Sequence, residues 1–137
     1  MRWTDLLWMV AAASLFFPVV SAMASNIETL AVQLLRYNAN PERGERAAFV
    51  VLGAGGEMEL VHWPPPRPDV RRSVNWNGRM PSGVVAVIHT HPSDVPRPSR
   101  QDLAEARRLS MPFYVVSRTS LCMAGSDGDI SCGPLPT

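Results

Sequence analysis

Two histidines, a serine and an aspartate form the part of this sequence that is best suited to chemistry. They stand in two nearby segments, His89-Thr90-His91-Pro92 and Ser99-Arg100-Gln101-Asp102. Two imidazoles and a carboxylate are a common ligand set for a divalent metal ion, above all zinc, and three protein ligands leave a fourth position open for water. The residue types and their spacing therefore predict a catalytic metal site with His89, His91 and Asp102 as ligands.

A strand and a helix must position these ligands. The apolar, β-branched run Val84-Val85-Ala86-Val87-Ile88 directly precedes His89 and predicts a buried strand. Because alternate residues of a strand point to the same side, His89 and His91 should project together from its end. Ser99 is a favourable helix N-cap, and an acid at the third helical position stabilises a helix N-terminus. A helix beginning at Ser99 would hold Asp102 rigidly beside the two histidines.

Other sites that use a His-x-His pair fit the chain less well. The metallo-β-lactamase pattern His-x-His-x-Asp-His is incomplete, since Asp94 stands one position late and no histidine follows it. The one other histidine of the chain, His62, precedes a proline run and is interpreted as a surface or packing residue. A copper carrier would also suit His-x-His. The methionines of such a carrier would cluster, but those after the first 24 residues are scattered, at Met58, Met80, Met111 and Met123.

Taken together, the two segments resemble the signature of the JAMM metalloproteases, also called MPN-type or JAB-like proteins. That signature consists of an upstream glutamate, then His-Ser/Thr-His-Pro, then Ser-x-x-Asp, and the last two blocks match here without a mismatch. The resemblance covers roughly the whole chain after residue 25. It implies an α/β fold, a single-domain α/β/α sandwich with a mixed sheet flanked by helices. It also implies a zinc-dependent peptidase or isopeptidase with Zn²⁺ as cofactor.

The resemblance further implies a catalytic glutamate at the start of the first core strand. The matching segment is Glu45-Arg46-Ala47-Ala48-Phe49-Val50-Val51-Leu52-Gly53. Ala48 stands where the family usually has glycine, and the closing glycine comes one residue late. We therefore predict Glu45 as the general base, with Glu42 as the alternative. By the same resemblance, Ser99 is predicted to donate a hydrogen bond to the oxyanion of the reaction.

The first 24 residues predict a signal peptide that precedes the fold. Arg2 supplies a positive end, and residues 6–20 form an apolar stretch that is shorter than the roughly 20 residues of a membrane span. Ala22-Met23-Ala24 then provides an A-x-A cleavage site. The mature protein is expected to be periplasmic or secreted, in a bacterium, without a stable membrane span. An uncleaved N-terminal anchor is the alternative.

The only two cysteines agree with export. Cys122 and Cys132 flank a segment with a Ser-Asp-Gly turn signal, which predicts a hairpin with a disulfide across it. Disulfides persist in oxidising compartments such as the periplasm. Metal binding by the two cysteines is a weaker interpretation, because no histidine stands near them.

One domain is expected over residues 25–132, with a loose Pro-rich tail over residues 133–137. The net charge of +1 gives no electrostatic reason to expect a nucleic-acid partner. The arginines near the Pro-rich loop are interpreted as solvated, with an anionic substrate as the alternative; they are Arg67, Arg71, Arg72 and Arg79. Hydrophobic periodicity and turn signals predict helices to about Tyr37 and over residues 99–109, and strands over residues 47–52, 58–63, 70–76, 84–89, 113–116 and 120–124.

The substrate class follows from compartment and analogy. An exported JAMM-like domain would hydrolyse a peptide or isopeptide bond, either in peptidoglycan stem peptides or in an exported protein. The alternatives from other classes are a non-catalytic JAMM-like binding or scaffold protein and a secretion-associated effector. The oligomeric state is left open by the sequence.

Overall fold

The computed structural model describes residues 26–38, 44–64, 76, 78–91 and 95–135. Over these ranges, six strands and two helices follow one another along the chain. They are α1 (residues 26–37), β1 (Ala47–Leu52), β2 (Met58–His62), β3 (Val84–Thr90), α2 (Arg100–Leu109), β4 (Phe113–Val116), β5 (Ser120–Ala124) and β6 (Ile130–Pro134). Most of these bounds agree with the sequence prediction. The predicted strand over residues 70–76 lies outside the described residues except for Trp76, which is not in a strand.

All six strands form one mixed sheet in the order β2-β1-β3-β4-β5-β6. Neighbouring strands are antiparallel except for β3 and β4, which are parallel and are connected through α2. The antiparallel pairing of β1 with β3 sets Ala47 opposite His89. The beginning of β1 therefore lies beside the end of β3, and residues that precede β1 meet residues that follow β3.

Both faces of the sheet are covered, one by each helix. Residues of α1 pack on one face with Ala48 and Val50 of β1 and Ala86 and Ile88 of β3. The intervening residues Phe49 and Val87 face the other side and pack with Ala106 of α2. This alternation is the two-residue period of a strand, and burial on both faces explains why β1 and β3 are continuously apolar. The predicted α/β/α sandwich is confirmed.

The prediction of a loose tail over residues 133–137 is wrong for its first three residues. Gly133 and Pro134 belong to β6, and Leu135 is buried and packs with the α1 side of the core. The Leu135 amide also donates a 3.0 Å hydrogen bond to the Thr119 carbonyl. Pro134 pairs opposite Ser120 in the β5–β6 ladder, so the register of this hairpin carries the end of the chain back onto the sheet. Residues 136–137 lie outside the described range.

Several other predictions fall on residues that the structure does not describe. They concern the signal peptide over residues 1–24, the alternative base Glu42, and three of the four clustered arginines, Arg67, Arg71 and Arg72. Arg79 is described and is exposed. Among the described residues, no helix combines the length and the apolarity that crossing a membrane requires.

The predicted disulfide is present and joins directly opposite residues of β5 and β6. Cys122 is buried and Cys132 is exposed, and their Cα atoms lie 4.1 Å apart. In the chain-entropy account, closing so short a loop stabilises the fold by about 3 kcal/mol at most. We expect the double variant Cys122→Ala/Cys132→Ala to lose up to that amount of unfolding free energy, measured by urea denaturation. Reduced wild-type protein is the matched control, and an unchanged midpoint on reduction would contradict the prediction.

Candidate metal centre and adjoining cleft

His89 and His91 lie at the end of β3 on the α2 side of the sheet. His89 is the penultimate residue of β3, and both histidines are only 8% exposed. Their ring centroids are 4.7 Å apart and the ring planes are inclined by 72°. The prediction that the two side chains project together is confirmed, since His89 continues the face of β3 on which Val87 lies.

Asp102 is held beside the histidines by the first turn of α2. Ser99 is the N-cap, and its side chain accepts a 3.1 Å hydrogen bond from the Asp102 amide. In return, the Ser99 amide donates to Asp102 Oδ2 at 2.6 Å, and the Ser99 hydroxyl donates to the same oxygen at 2.9 Å. This capping box fixes the carboxylate on the helix N-terminus. The other oxygen, Oδ1, lies 2.8 Å from His89 Nε2.

These contacts keep Asp102 ionised. Burial alone would raise the pKa of its carboxyl, but interactions with His89 and hydrogen bonds from Ser99 outweigh burial and lower the pKa to about 2. A carboxylate that stays ionised at any ordinary pH is competent to bind a cation.

His91 is prepared as a ligand by a backbone carbonyl. Its Nδ1 lies 2.9 Å from the Val95 carbonyl oxygen, which can only accept, so Nδ1 carries the proton and Nε2 presents a lone pair. A hydrogen bond of this kind is the usual support of a metal-binding histidine. Burial lowers the pKa of His91, as does the neighbouring His89, while the bond to Val95 and the charge of Asp102 oppose the shift. His91 is therefore neutral at pH 7.

Glu45 reaches the same point from the loop that precedes β1. Its Oε2 lies 3.9 Å from His89 Nδ1, and its Oε1 lies 3.9 Å from His91 Nε2. The side chain is 23% exposed, which makes it the most accessible of the four. Two other acids, Glu57 and Glu59, are exposed on the β1–β2 hairpin. Among the described upstream residues, Glu45 is thus the glutamate that the fold brings to the histidines.

A buried network that the sequence interpretation missed ties the Glu45 loop to β3. The Thr90 hydroxyl oxygen accepts hydrogen bonds from the Arg46 amide at 2.9 Å and from Asn38 Nδ2 at 3.1 Å. The Thr90 amide donates to the Arg46 carbonyl at 2.9 Å, and Asn38 Nδ2 also lies 3.3 Å from the Gly44 carbonyl. The residues on both sides of Glu45 are therefore anchored. The position of Thr90 between the two histidines, which directs it to the opposite face of the strand, was the available signal for its role, whereas nothing marked Asn38.

The geometry of the cluster suits a metal ion. His89 Nε2 is buried and makes no aligned hydrogen bond with any described residue, although Asp102 Oδ1 is only 2.8 Å away. His91 Nε2 and Asp102 Oδ2 are 3.8 Å apart. Nitrogen and oxygen ligands about 2.0–2.1 Å from a tetrahedral zinc ion lie about 3.3 Å from one another, within the span of these distances. A buried ring nitrogen held 2.8 Å from an ionised carboxylate is an arrangement that two ligands of one cation can have.

Two overlapping sets of three ligands are available. Ligand atoms of Glu45, His89 and His91 all lie within 4.8 Å of one another. Asp102 approaches both histidines more closely than Glu45 does, at 2.8 Å and 3.8 Å. Either set provides two nitrogens and one oxygen, which zinc accepts. The structure thus brings together all four residues that the sequence predicted for metal binding and acid–base chemistry, with Ser99 beside them.

The cluster lies at one end of a cleft of about 670 Å³, which is of the size of ordinary ligand sites. His89 and His91 border the cleft together with Glu45, Ser99 and Asp102, so the cluster is open to a substrate. The third histidine of the chain, His62, stacks on Tyr37 at a centroid distance of 4.0 Å and takes no part in the cluster. Its interpretation as a packing residue is confirmed.

An α/β/α fold with a histidine–carboxylate cluster at the end of a central strand defines a class of metal-site domains. The family model for prokaryotic homologues of the JAB domain matches residues 20–129. The chain belongs to this family, and the resemblance stated from its motifs is confirmed. Neither the curated proteins nor the solved structures include a significant match to the chain.

Proposed function

We propose that the protein is an exported, zinc-dependent metallopeptidase that hydrolyses a peptide or isopeptide bond. The observation that carries the proposal is the cluster of Glu45, His89, His91 and Asp102 at the mouth of a cleft, with His89 Nε2 buried and lacking an aligned partner among the described residues. Membership of the JAB-domain family supports the same reaction class. The disulfide is compatible with an oxidising compartment.

In this proposal His89, His91 and Asp102 hold the metal and Glu45 is the general base. Zinc, when bound, supplies Lewis-acid activation of water at neutral pH. Asp102 is assigned to the metal because it is the less exposed carboxylate and is locked by the capping box. Glu45 is more exposed and can move toward the substrate. Its carboxylate takes the proton of the attacking water and delivers it to the leaving amine.

Ser99 has two roles in the proposal. Its hydroxyl and amide hold Asp102, and the hydroxyl borders the cleft, where it can turn from Asp102 to the developing oxyanion. The hydrogen bond from the Ser99 backbone amide to Asp102 would persist during such a turn, because it does not involve the hydroxyl.

Substitution of Ser99 can separate its structural role from its chemical role. Ser99→Ala should lower the unfolding free energy by about 0.5–2 kcal/mol through loss of the N-cap, and Ser99→Gly should lower it by only about a few tenths of a kcal/mol, since glycine is tolerated at the N-cap and has no side-chain donor. Both variants should lose about 100- to 1,000-fold in the hydrolysis rate if the hydroxyl stabilises the oxyanion. Thermal denaturation and kcat of the zinc-loaded variants measure the two effects. Full activity in Ser99→Gly would exclude the chemical role.

The test of the proposed function is hydrolysis by the zinc-loaded full chain. Unstructured polypeptides, isopeptide-linked peptides and purified muropeptides are incubated with the protein, and new amino groups are quantified. Loss of activity on chelation and its return with zinc would support the proposal. A folded, zinc-loaded protein that releases no amine from any of these substrates would contradict it and would favour the binding or scaffold role.

A further inference from the structure

Beyond the metal cluster, the cleft is walled by apolar side chains on the α2 side of the sheet. Phe49 and Trp63 are 5.2 Å apart between ring centroids, and Phe49 and Trp76 are 4.9 Å apart and nearly perpendicular. The two indoles are 6.0 Å apart. We call this part of the cleft the aromatic pocket; its walls are Phe49, Trp63, Trp76, Met80, Leu109 and Phe113.

The aromatic pocket contains two polar atoms that require a partner. The indole nitrogens of Trp63 and Trp76 are buried, and within the described part of the chain neither makes a hydrogen bond. Buried indole N–H groups normally have an acceptor, and leaving one without an acceptor is costly. Both tryptophans border the cleft with their rings, whereas their indole nitrogens are closed to solvent.

The charges along the cleft favour an uncharged occupant. Arg108 and Glu105 also border it, but they form an exposed salt bridge of 2.6 Å with each other. The other charged residues among the described lining are those of the metal cluster. A carboxylate side chain in the aromatic pocket would lose water without gaining a counterion. A bulky apolar side chain would replace water against aromatic surface, which is favourable.

We propose that the aromatic pocket is a substrate subsite that binds a bulky apolar residue adjacent to the bond that is cleaved. The inference rests on the proposed peptidase function for the adjacent bond, but binding in the pocket does not depend on catalysis. It favours a protein or peptide segment over peptidoglycan stem peptides, whose residues are small or charged.

Tryptophan fluorescence can test the subsite directly. The chain has four tryptophans, so Trp3→Phe/Trp8→Phe leaves Trp63 and Trp76 as the only emitters in the full-length protein. Adding Glu45→Gln to this background suppresses turnover under the proposed mechanism. The probes are alanine tetrapeptides in which one residue is Phe, Ala or Glu, moved through all four positions. In at least one position, the Phe peptide should change the emission and bind about 10-fold or more tightly than the Ala and Glu peptides.

A matched pair of methionine variants checks where the peptide binds. Met80 lines the aromatic pocket, whereas Met111 packs against the same core cluster but does not border the cleft. Met80→Gln should weaken binding of the Phe peptide by about 3-fold or more, and Met111→Gln should leave it unchanged. Equal affinity for the Phe, Ala and Glu peptides in every position would overturn the subsite, as would equal effects of the two methionine variants.

The subsite and the proposed function can fail separately. Selective binding of the Phe peptide by a protein that hydrolyses nothing would support the subsite and contradict the proposed peptidase function. Hydrolysis without preference for a bulky apolar neighbour, together with unresponsive indole emission, would retain the peptidase and overturn the subsite.

Discussion

Glu45→Gln should retain about one zinc ion per chain and lose about 100- to 10,000-fold in the rate of hydrolysis. The size of the loss is that of general acid–base catalysis, because the amide cannot accept the proton of the attacking water. Retention of zinc follows from the assignment of His89, His91 and Asp102 as ligands, which the substitution leaves intact. Metal content by atomic emission and kcat under saturating substrate measure the two quantities on the same sample.

The control for Glu45→Gln is the same substitution at Glu59. Glu59 is exposed on β2, opposite Val51 of β1, and lies outside the cleft lining. Glu59→Gln should change neither zinc content nor rate. If Glu45→Gln instead lost the metal, Glu45 would be a ligand, as its grouping with the two histidines within 4.8 Å also permits. Asp102 would then be the residue to test as the base.

His91→Ala should lose zinc, with an affinity reduced by more than about 100-fold. Removal of a residue that only hydrogen-bonds a metal ligand lowers metal affinity by about 10- to 100-fold. Removal of the ligand itself should lower it further. His91 is suited to be a ligand because the Val95 carbonyl fixes its proton on Nδ1 and leaves Nε2 for the metal. Competition with a chromogenic chelator measures the affinity, and circular dichroism checks the fold.

His62→Ala provides the matched control, since His62 is the only other histidine of the chain. It stacks on Tyr37 and takes no part in the candidate site. His62→Ala should bind zinc as the wild type does. Undiminished zinc affinity in His91→Ala would contradict the proposed centre, and an equal loss in both variants would indicate general damage to the fold.

Much of the candidate site could be predicted from the sequence because its parts are local. His89, His91, Ser99 and Asp102 lie within fourteen consecutive positions on one strand and the following helix. Strand alternation determines that the histidines share a side, and the capping preference of Ser99 determines where α2 begins. Short-range rules of this kind act between residues that are neighbours in the chain, so the sequence pattern was enough to predict that these residues lie together.

Glu45 shows where such rules end. The Ala48 mismatch and the late glycine left Glu45 and Glu42 as alternatives, since the family motif has no short-range element to set the register. The tertiary structure brings Glu45 to the histidines through the pairing of Ala47 with His89 and the anchoring of Arg46 by Thr90, while Glu42 lies outside the described residues. Asn38 enters the same network from the end of α1, far away in sequence, and nothing in the local sequence marks it.

The tail and the aromatic pocket depend on packing between distant segments. Pro and Gly near the chain end predicted a loose tail, but the β5–β6 register brings Leu135 beside Thr119 and into the core, where burial outweighs local propensity. Phe49, Trp63 and Trp76 come from separate parts of the chain. Their side chains meet only because all three pack on the α2 side of the sheet. The sequence by itself therefore indicated the candidate metal ligands and the elements that carry them. Only the tertiary structure showed that Glu45 joins them and what surrounds the cleft, because those contacts join residues that no local pattern connects.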